Sequence, residues 1–294
     1  MKLTKVLQAT EDASRNFIFE GDFPGYFESR YVRRKPEYLV CYLSSQSGCN
    51  LACRFCHLTT TGQVYGEDAS VECFEKQAEA VLKHYESQPS AKVIHYSWMA
   101  RADAMNSRVM LETAHIVFDK LGRLADSYDL LPRFMVSTIM PKSMAGIELR
   151  EIFPIIHPTI YYSIYSMNDD FRQKWLPKAM DPGTALAMLK DYQDHSGKLV
   201  RLHWAFIEGE NDSVGTVRDI ANAVNAYKLR VDVNIVRYNP YSEAQGREPS
   251  IDMIVELGKV LQDTLESSTK IKIVDRVGFS AKASCGMFVQ DEME

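Results

Sequence analysis

Long hydrophobic runs are missing from this chain of 294 residues. No stretch approaches the roughly 18 consecutive apolar residues of a membrane-spanning helix, so we expect no membrane span. The first residues, Met1–Lys5, lead into polar sequence without the apolar segment of a secretory signal peptide. These absences predict a cytoplasmic protein that does not act on a membrane.

A strong excess of one charge is missing too. Lysine and arginine number 34 against 39 aspartates and glutamates, which gives a net charge of −5. This balance argues against a protein that binds nucleic acid through its overall charge, although a local basic stripe is compatible with it. One basic run, Arg30–Lys35, is suited to phosphate contacts, but a solvated strand face is the simpler interpretation.

Cysteine is scarce, and its distribution does not fit a disulfide framework. The chain has 6 cysteines, and Cys41, Cys49, Cys53 and Cys56 lie close together. Disulfide-stabilised proteins are small and secreted, with cysteines spread along the chain. The sequence therefore favours metal binding or thiol chemistry. Cys73 lies in a helical pattern and is interpreted as structural.

Internal repeats and low-complexity segments are absent, and from Tyr38 onward strand-like and helix-like segments alternate. This alternation predicts an α/β fold with a parallel sheet and right-handed crossovers. The predicted strands are Tyr38–Ser44, Lys92–Trp98, Arg133–Thr138, Thr159–Tyr165, Val200–Ile207 and Arg230–Val236, with a further one at Lys270–Val277. The predicted helices are Val71–Glu86, Ser107–Leu121, Gly183–Asp194, Ser213–Tyr227 and Ile251–Leu265. Six such units predict a partial (β/α)6 barrel with its site at the carboxyl ends of the strands.

Two regions are expected. Residues 1–36 contain short alternating runs on either side of Asp22–Gly25, which indicates a small β-hairpin extension. Residues 37–294 form the barrel core, including a C-terminal loop with Cys285.

Directly after the first predicted core strand comes a Cys-x-x-x-Cys-x-x-Cys run, formed by Cys49, Cys53 and Cys56. Three thiolates can ligate three irons of a 4Fe–4S cluster, whereas an electron-transfer cluster uses four. The fourth iron is then free to bind the amino and carboxylate groups of S-adenosyl-L-methionine. With Phe55 before the third cysteine, the run resembles the radical SAM superfamily signature. That resemblance implies that an electron splits the sulfonium and releases a 5′-deoxyadenosyl radical.

A zinc site is the alternative, with the three cysteines and His57 as ligands. Cys56 and His57 are adjacent in sequence, which suits a tetrahedral site poorly, and no second cysteine pair follows. A cluster is the better interpretation.

Beyond the cysteines, the chain resembles the RlmN/Cfr family of radical SAM RNA adenine methyltransferases from about Glu28 to Met287. The motifs that carry the resemblance are Ser44–Cys49, Val136–Thr138, Asn168-Asp169, Asn239-Pro240 and Cys285-Gly286. The resemblance implies methylation of an adenine carbon in RNA, C2 in preference to C8. In that chemistry a protein cysteine is methylated first, and a radical from a second S-adenosyl-L-methionine activates this methyl group. A second cysteine releases the product, and a base removes the ring proton.

The resemblance implies three catalytic residues: Cys285 as the methyl carrier, Cys41 as the resolving cysteine and Glu28 as the base. For each, an ordinary buried cysteine or a solvated carboxylate is the alternative. Cys41 precedes Cys49 by eight residues where the family has seven, which indicates an inserted residue at Tyr42 or Leu43. A one-residue slip in a strand reverses the side chain unless a bulge absorbs it.

The resemblance also implies contacts to S-adenosyl-L-methionine from Asp103, Ser137, Ser163 and Asn239. The chain departs from the family pattern near two of them. Ala100 and Ala102 replace two glycines before Asp103, and Tyr165 stands where the family has a histidine.

The implied partners are RNA and an electron donor such as flavodoxin, with the chain acting as a monomer. About 27 residues precede Glu28, so we expect the family's longer N-terminal accessory domain for RNA binding to be absent. Two other functions therefore stay open: the same chemistry on a small nucleotide or a peptide, and a non-enzymatic metal- or RNA-binding module.

Overall fold

The computed structural model describes residues 1–22 and 25–290, and within them ten strands form one sheet in chain order. The strands are β1 Lys2–Gln8, β2 Arg15–Glu20, β3 Tyr26–Lys35, β4 Tyr38–Tyr42, β5 Val93–Trp98, β6 Leu131–Thr138, β7 Thr159–Tyr162, β8 Val200–Ala205, β9 Val231–Val236 and β10 Ile271–Val274. The helices are α1 His57–Thr60, α2 Val71–Tyr85, α3 Arg108–Asp126, α4 Leu149–Ile152, α5 Asp169–Trp175, α6 Pro182–Ser196, α7 Val214–Ala226 and α8 Ile251–Thr264.

The strand pairing divides the sheet into two parts. Strands β1 to β4 pair antiparallel, and β4 to β10 pair parallel. Each parallel pair is joined by a crossover that contains at least one helix. Between β6 and β7 this helix is only the short α4. The predicted α/β fold with a partial barrel is confirmed, and β10 forms at the place of the further strand. All five predicted helices form as well.

The parallel strands have an apolar outer face and a polar inner face. On β5, for example, the side chains of Ile94, Tyr96 and Trp98 are buried, and Trp98 packs against Phe74 of α2 at 5.8 Å between ring centroids. The alternate residue His95 faces the opposite side, where a cavity lies. Because successive side chains point to opposite faces of a strand, the sheet presents one side to the helices and the other to the site.

The N-terminal strands continue the main sheet. β3 pairs with β4, and α2 packs on β3, where the Ser29 hydroxyl donates to the Gln77 carbonyl at 3.0 Å. The extension therefore brings β3 beside the loop that follows β4. Part of the predicted turn at Asp22–Gly25, residues 23 and 24, lies outside the described residues. Strand β1 was not predicted, since six of its seven side chains are exposed and its sequence carries no buried alternation.

Across the described part of the chain, no helix is both long enough and apolar enough to cross a membrane.

The cysteine loop and the chain that follows it cross at two glycines. A Cβ on Gly48 would lie 2.1 Å from the Tyr65 carbonyl oxygen, and a Cβ on Gly66 would lie 2.1 Å from the Gly48 nitrogen. Backbone atoms cannot turn aside as a flexible side chain can, so the crossing requires glycine at both positions.

We predict that Gly48→Ala lowers the free energy of unfolding by about 1–3 kcal/mol, the usual cost of overpacking. Gly122→Ala in α3 is the matched control, because nothing lies within 4 Å of its added Cβ, and alanine favours a helix by about 0.5–1 kcal/mol. Urea unfolding followed by circular dichroism measures both. Equal stability of Gly48→Ala and the parent would contradict the crossing.

Candidate active site

The carboxyl ends of the parallel strands surround a pocket of about 140 Å³, here called the upper pocket. Eight of the ten residues proposed from the sequence line it: Cys49, Cys53, Cys56, Asp103, Ser137, Ser163, Asn239 and Cys285. They come from the loops or strand ends after β4, β5, β6, β7, β9 and β10. The structure thus brings together residues that are up to 236 positions apart in sequence. Their individual roles stay predictions.

Backbone hydrogen bonds hold the cysteine loop in place after β4. The Cys49 N–H donates to the Gln63 carbonyl at 3.0 Å, and the Cys56 N–H donates to the Cys53 carbonyl at 3.0 Å. Burial raises the pKa of Cys49 to about 11 and that of Cys56 to about 12, and neighbouring thiols add to the effect at Cys56. Cys53 is buried and Cys49 and Cys56 are partly buried, so these three desolvated thiols need a positively charged group to become thiolates. This donor set fits an iron–sulfur cluster.

The same residues suit a single zinc ion poorly. Within residues 1–22 and 25–290, no three side chains of His, Cys, Asp or Glu converge on one metal position. Zinc requires such convergence, whereas each cysteine of a 4Fe–4S cluster binds a different iron. His57 is also engaged elsewhere, since its Nε2 lies 3.1 Å from the Asn239 carbonyl oxygen.

Asp103 sits opposite the cysteines with its carboxylate fixed. One oxygen accepts from the Met105 N–H at 2.9 Å and the other from the Ile139 N–H at 2.8 Å. Burial nevertheless raises the pKa of Asp103 to about 6. The preceding Ala102 has a φ of 65°, a left-handed conformation that glycine adopts without strain, which explains a glycine at this position in the family pattern.

Tyr165 closes one side of the upper pocket. Its ring stacks on Phe55 with centroids 4.5 Å apart, so it braces the residue before Cys56. The Asn168-Asp169 motif nearby has a structural role, because the Asn168 side chain accepts from the Phe171 N–H and caps α5.

Cys285 occupies the junction between the upper pocket and a second, larger space. The Asn239 side chain donates to the Cys285 carbonyl at 2.9 Å, and the His57 N–H donates to the Gly286 carbonyl at 3.3 Å. The Cys285 side chain is exposed toward these two spaces, yet the surrounding protein desolvates the thiol and raises its pKa, an effect that Arg30 and Arg34 partly offset.

The second space, here called the inner cavity, has a volume of about 320 Å³ and lies on the inner face of the parallel strands. It shares six lining residues with the upper pocket: Met99, His203, Val236, Arg237, Asn239 and Cys285. Any group carried on the Cys285 sulfur therefore has access to both spaces.

A buried ion network joins the cysteine loop to the Cys285 segment. The Glu28 carboxylate accepts from Arg101 Nε at 2.8 Å and from Arg30 Nη2 at 3.0 Å, and all three side chains are at most 1% exposed. We call these three residues the Glu28 network. The arginines also donate, at 2.6 to 3.1 Å, to the carbonyl oxygens of Ser47, Ser284, Met287 and Val289.

The network leaves Glu28 poorly suited to accept a proton. Burial acts to raise its pKa, but the charges of Arg101 and Arg30 outweigh burial and hold the pKa below the ordinary value of 4.5. Glu28 lines neither the upper pocket nor the inner cavity. Its environment favours a structural role over the predicted role as base.

Cys41 is the second residue that lines neither space. Strands β4 and β5 pair without a break from Tyr38 to Tyr42, so no bulge lies within this pairing. Val40 and Tyr42 face the inner cavity, and Cys41 is fully buried on the outer face, where it pairs with Tyr96. In this arrangement the Cys41 side chain points away from Cys285, and Tyr42, seven residues before Cys49, occupies the inward position. The resolving role of Cys41 stays a prediction.

Several site residues were not predicted from the sequence. Arg101 and His203 are the main ones: the first anchors the C-terminal segment, and the second lines both spaces. The one available signal was the arginine between two alanines, Ala100 and Ala102, directly before Asp103.

The comparisons with known proteins agree with this site. The chain is 24% identical over 305 residues to a dual-specificity RNA methyltransferase RlmN from Wolinella succinogenes, covering 97% of this chain and 80% of the relative. It is 22% identical over 308 residues to the RlmN of Sulfurovum sp., covering 99% and 81%. No protein-family model matches the chain.

Among solved structures, a radical SAM methyltransferase from Sphaerobacter thermophilus superposes with a TM-score of 0.78 at 18% identity, covering 97% of this chain and 80% of the other. This likeness supports the fold. Fold and pocket lining together resemble those of a radical SAM methyltransferase. Over nearly its whole length, the chain is similar to relatives named as RlmN RNA methyltransferases.

We predict that Glu28→Gln lowers the free energy of unfolding by about 3–5 kcal/mol, because it leaves two buried guanidinium groups without their counter-charge. Glu75→Gln is the control. Its carboxylate pairs with Lys120 at 2.7 Å at a partly exposed site, where the loss should stay within about 1 kcal/mol. Urea unfolding at neutral pH measures both variants.

The pH dependence gives a second check on the Glu28 network. The pKa of Glu28 is lower in the folded protein than in the unfolded chain, so the ionised carboxylate stabilises the fold at pH values above its unfolded pKa. This stabilisation is lost as the pH falls through the folded pKa. Glu28→Gln should lose this acid-side dependence. A Glu28→Gln protein that is fully stable but inactive would instead identify Glu28 as a catalytic base.

Cys41→Ala should leave turnover unchanged, because the thiol points away from Cys285. Native protein treated with iodoacetamide should be alkylated at Cys285 in the fraction that carries no methyl group there, and should become alkylated at Cys41 only on unfolding, as read by peptide mass analysis. Rapid native alkylation of Cys41, or substrate trapped covalently on Cys285 in Cys41→Ala, would support the resolving role.

Proposed function

We propose that the chain transfers a methyl group from S-adenosyl-L-methionine to an adenine carbon of RNA, C2 in preference to C8, through a methylated Cys285. The observation that carries the proposal is the position of Cys285, which lines both the upper pocket and the inner cavity. Relatives named as RNA methyltransferases support RNA as the substrate, and the RlmN resemblance favours C2.

The upper pocket is the cofactor site in this proposal. Cys49, Cys53 and Cys56 hold the 4Fe–4S cluster, and Asp103, Ser137, Ser163 and Asn239 hold S-adenosyl-L-methionine. When bound, these groups supply the electron, the methyl group and the hydrogen-abstracting radical. The Asp103 carboxylate would pair with the ammonium of the cofactor; its hydrogen bonds from the Met105 and Ile139 N–H groups, which hold it at the pocket wall, support this role.

Cys285 accepts the methyl group on its sulfur and presents it to the substrate. Its thiol must lose a proton first, and the neighbouring charges of Arg30 and Arg34 favour the thiolate. Asn239 and the Glu28 network fix the backbone on both sides, so the sulfur stays at the junction of the two spaces.

The release step needs a partner for the Cys285 sulfur when the carbon–sulfur bond of the adduct breaks. The family resemblance assigns this step to the Cys41 thiolate, which would form a disulfide with Cys285 as the methylated base departs. Of the described residues that line the inner cavity, Cys285 is the only cysteine, and Tyr42 stands at the inward position of β4, so Cys41 would have to turn from its buried position to act.

Protein purified anaerobically from cells should carry one additional CH₂ on the Cys285 peptide, detected by mass analysis. Cys285→Ala should still form 5′-deoxyadenosine but transfer no methyl group, whereas Cys73→Ala, in a buried helical position outside both spaces, should behave as the parent.

Nucleoside mass analysis of RNA from expressing cells identifies the methylated carbon. Methyl transfer that persists in Cys285→Ala would refute the carrier mechanism. Absence of 5′-deoxyadenosine from the parent protein would favour the non-enzymatic alternative.

A further inference from the structure

The inner cavity has the size of a small-molecule site. Its volume of about 320 Å³ falls at the lower end of the range typical of ligand pockets, about 300–1,000 Å³. It is walled by the inward side chains of β4 to β10, which are rigid elements of the sheet, and Cys285 stands at its upper end.

Basic side chains dominate the cavity wall. The only carboxylate among the described lining residues is that of Asp275. Six basic side chains line the cavity: Arg30, Arg34, Arg201, Arg237, Lys272 and Arg276. Four of these cations form ion pairs with carboxylates. Arg30 pairs with Glu28 and Arg201 with Asp232, and Arg237 and Arg276 both pair with Glu248.

Arg34 and Lys272 are different. Among the described residues, neither forms an ion pair with a carboxylate, and Arg34 donates only to the backbone carbonyl of Asp275 at 2.8 Å. The six cations are thus set against four carboxylates, those of Glu28, Asp232, Glu248 and Asp275, which leaves an excess of about two positive charges. This excess matches the charge of a phosphate monoester, about −1.5 to −2 at neutral pH.

Aromatic side chains line another part of the cavity wall. Tyr38 and His95 stack with centroids 4.5 Å apart, and Tyr161 meets His203 edge-on at 5.9 Å. Such surfaces bind planar rings of a ligand.

His203 offers a polar contact within this wall. Its side chain is 8% exposed, and its Nδ1 is buried without a hydrogen-bond partner. A buried polar atom of this kind costs free energy unless a ligand satisfies it. Because His203 also lines the upper pocket, a ring that hydrogen-bonds to it lies next to Cys285.

We propose that the inner cavity binds a purine nucleoside monophosphate, with its phosphate at Arg34 and Lys272 and its ring against the aromatic wall near His203. This inference rests on the proposed function for the methylation itself, and it adds that the acceptor carries a terminal, dianionic phosphate. Arg34 and Cys285 both line this cavity of about 320 Å³, so a single nucleotide can place its phosphate at one and its ring near the other. The nucleotide is either free or the 5′-terminal unit of an RNA.

Calorimetric titration of the cluster-loaded protein tests the proposal. S-Adenosylhomocysteine is kept at saturation to fill the upper pocket, and the probes are adenosine 5′-monophosphate, its methyl phosphate ester and adenosine. We expect the monophosphate to bind at least about tenfold more tightly than adenosine, equivalent to about 1.4 kcal/mol, with the monoanionic ester in between. Arg34→Ala and Lys272→Ala should remove this preference.

Lys259→Ala is the matched control, because this exposed lysine pairs with Glu256 on α8, away from the cavity. An RNA oligonucleotide with a 5′-monophosphate that binds better than its 5′-hydroxyl form, while the free nucleotide does not bind, would assign the site to an RNA end and support the proposal.

Equal binding of the monophosphate and adenosine would overturn the proposal, and so would unchanged preference in both cavity variants. Loss of binding when S-adenosylhomocysteine saturates the protein would place the nucleotide in the upper pocket and would overturn it as well. Phosphate-dependent binding in a protein that never methylates Cys285 would leave this site standing and refute the proposed function alone.

Discussion

The site depends on one buried ion network. Glu28, Arg30 and Arg101 are removed from water together. This cluster of buried charges is tolerable only while its ion pairs and hydrogen bonds are made, and only its Arg30 Nε atom has no hydrogen-bond partner among the described residues. Those bonds include carbonyl oxygens of the cysteine loop and of the C-terminal segment. A network of this kind has one good arrangement, so it fixes the distance between the cysteines and Cys285. Packing of the barrel alone would leave both segments as loops at the edge of a cavity.

The network also bears on the role that the family resemblance implies for Glu28. The resemblance implies a base at Glu28 and a resolving thiol at Cys41, and in the structure both side chains are fully buried in the protein interior. Spacing along a strand carries information on which face a residue occupies only when the register is known. Here the uninterrupted pairing of β4 with β5 decides the matter, and it turns Cys41 toward the helices and Tyr42 toward the cavity.

Much of the architecture was predictable because its signals are local. Alternation of strand and helix patterns predicted the parallel sheet, and the closely spaced Cys49, Cys53 and Cys56 predicted their own meeting in one loop. The convergence of Asp103, Ser137, Ser163 and Asn239 followed from the rule that parallel strands present their carboxyl ends together. Strand β1 escaped prediction because it buries almost nothing. The contacts of Arg101 escaped because they join segments distant in sequence, and no local pattern records such pairs.

The hydrogen bond between Val289 and Glu28 spans 261 positions of the chain. During synthesis, β3 leaves the ribosome early, and its buried charges have no complete set of partners until residue 289 has been made. Contacts of such separation form late, since the long loop must close before they contribute. Until residue 289 has been made and the intervening chain has closed, Glu28 keeps its hydration shell and the Glu28 network cannot be completed. The position of the Cys285 segment beside the cysteine loop is therefore set late in folding.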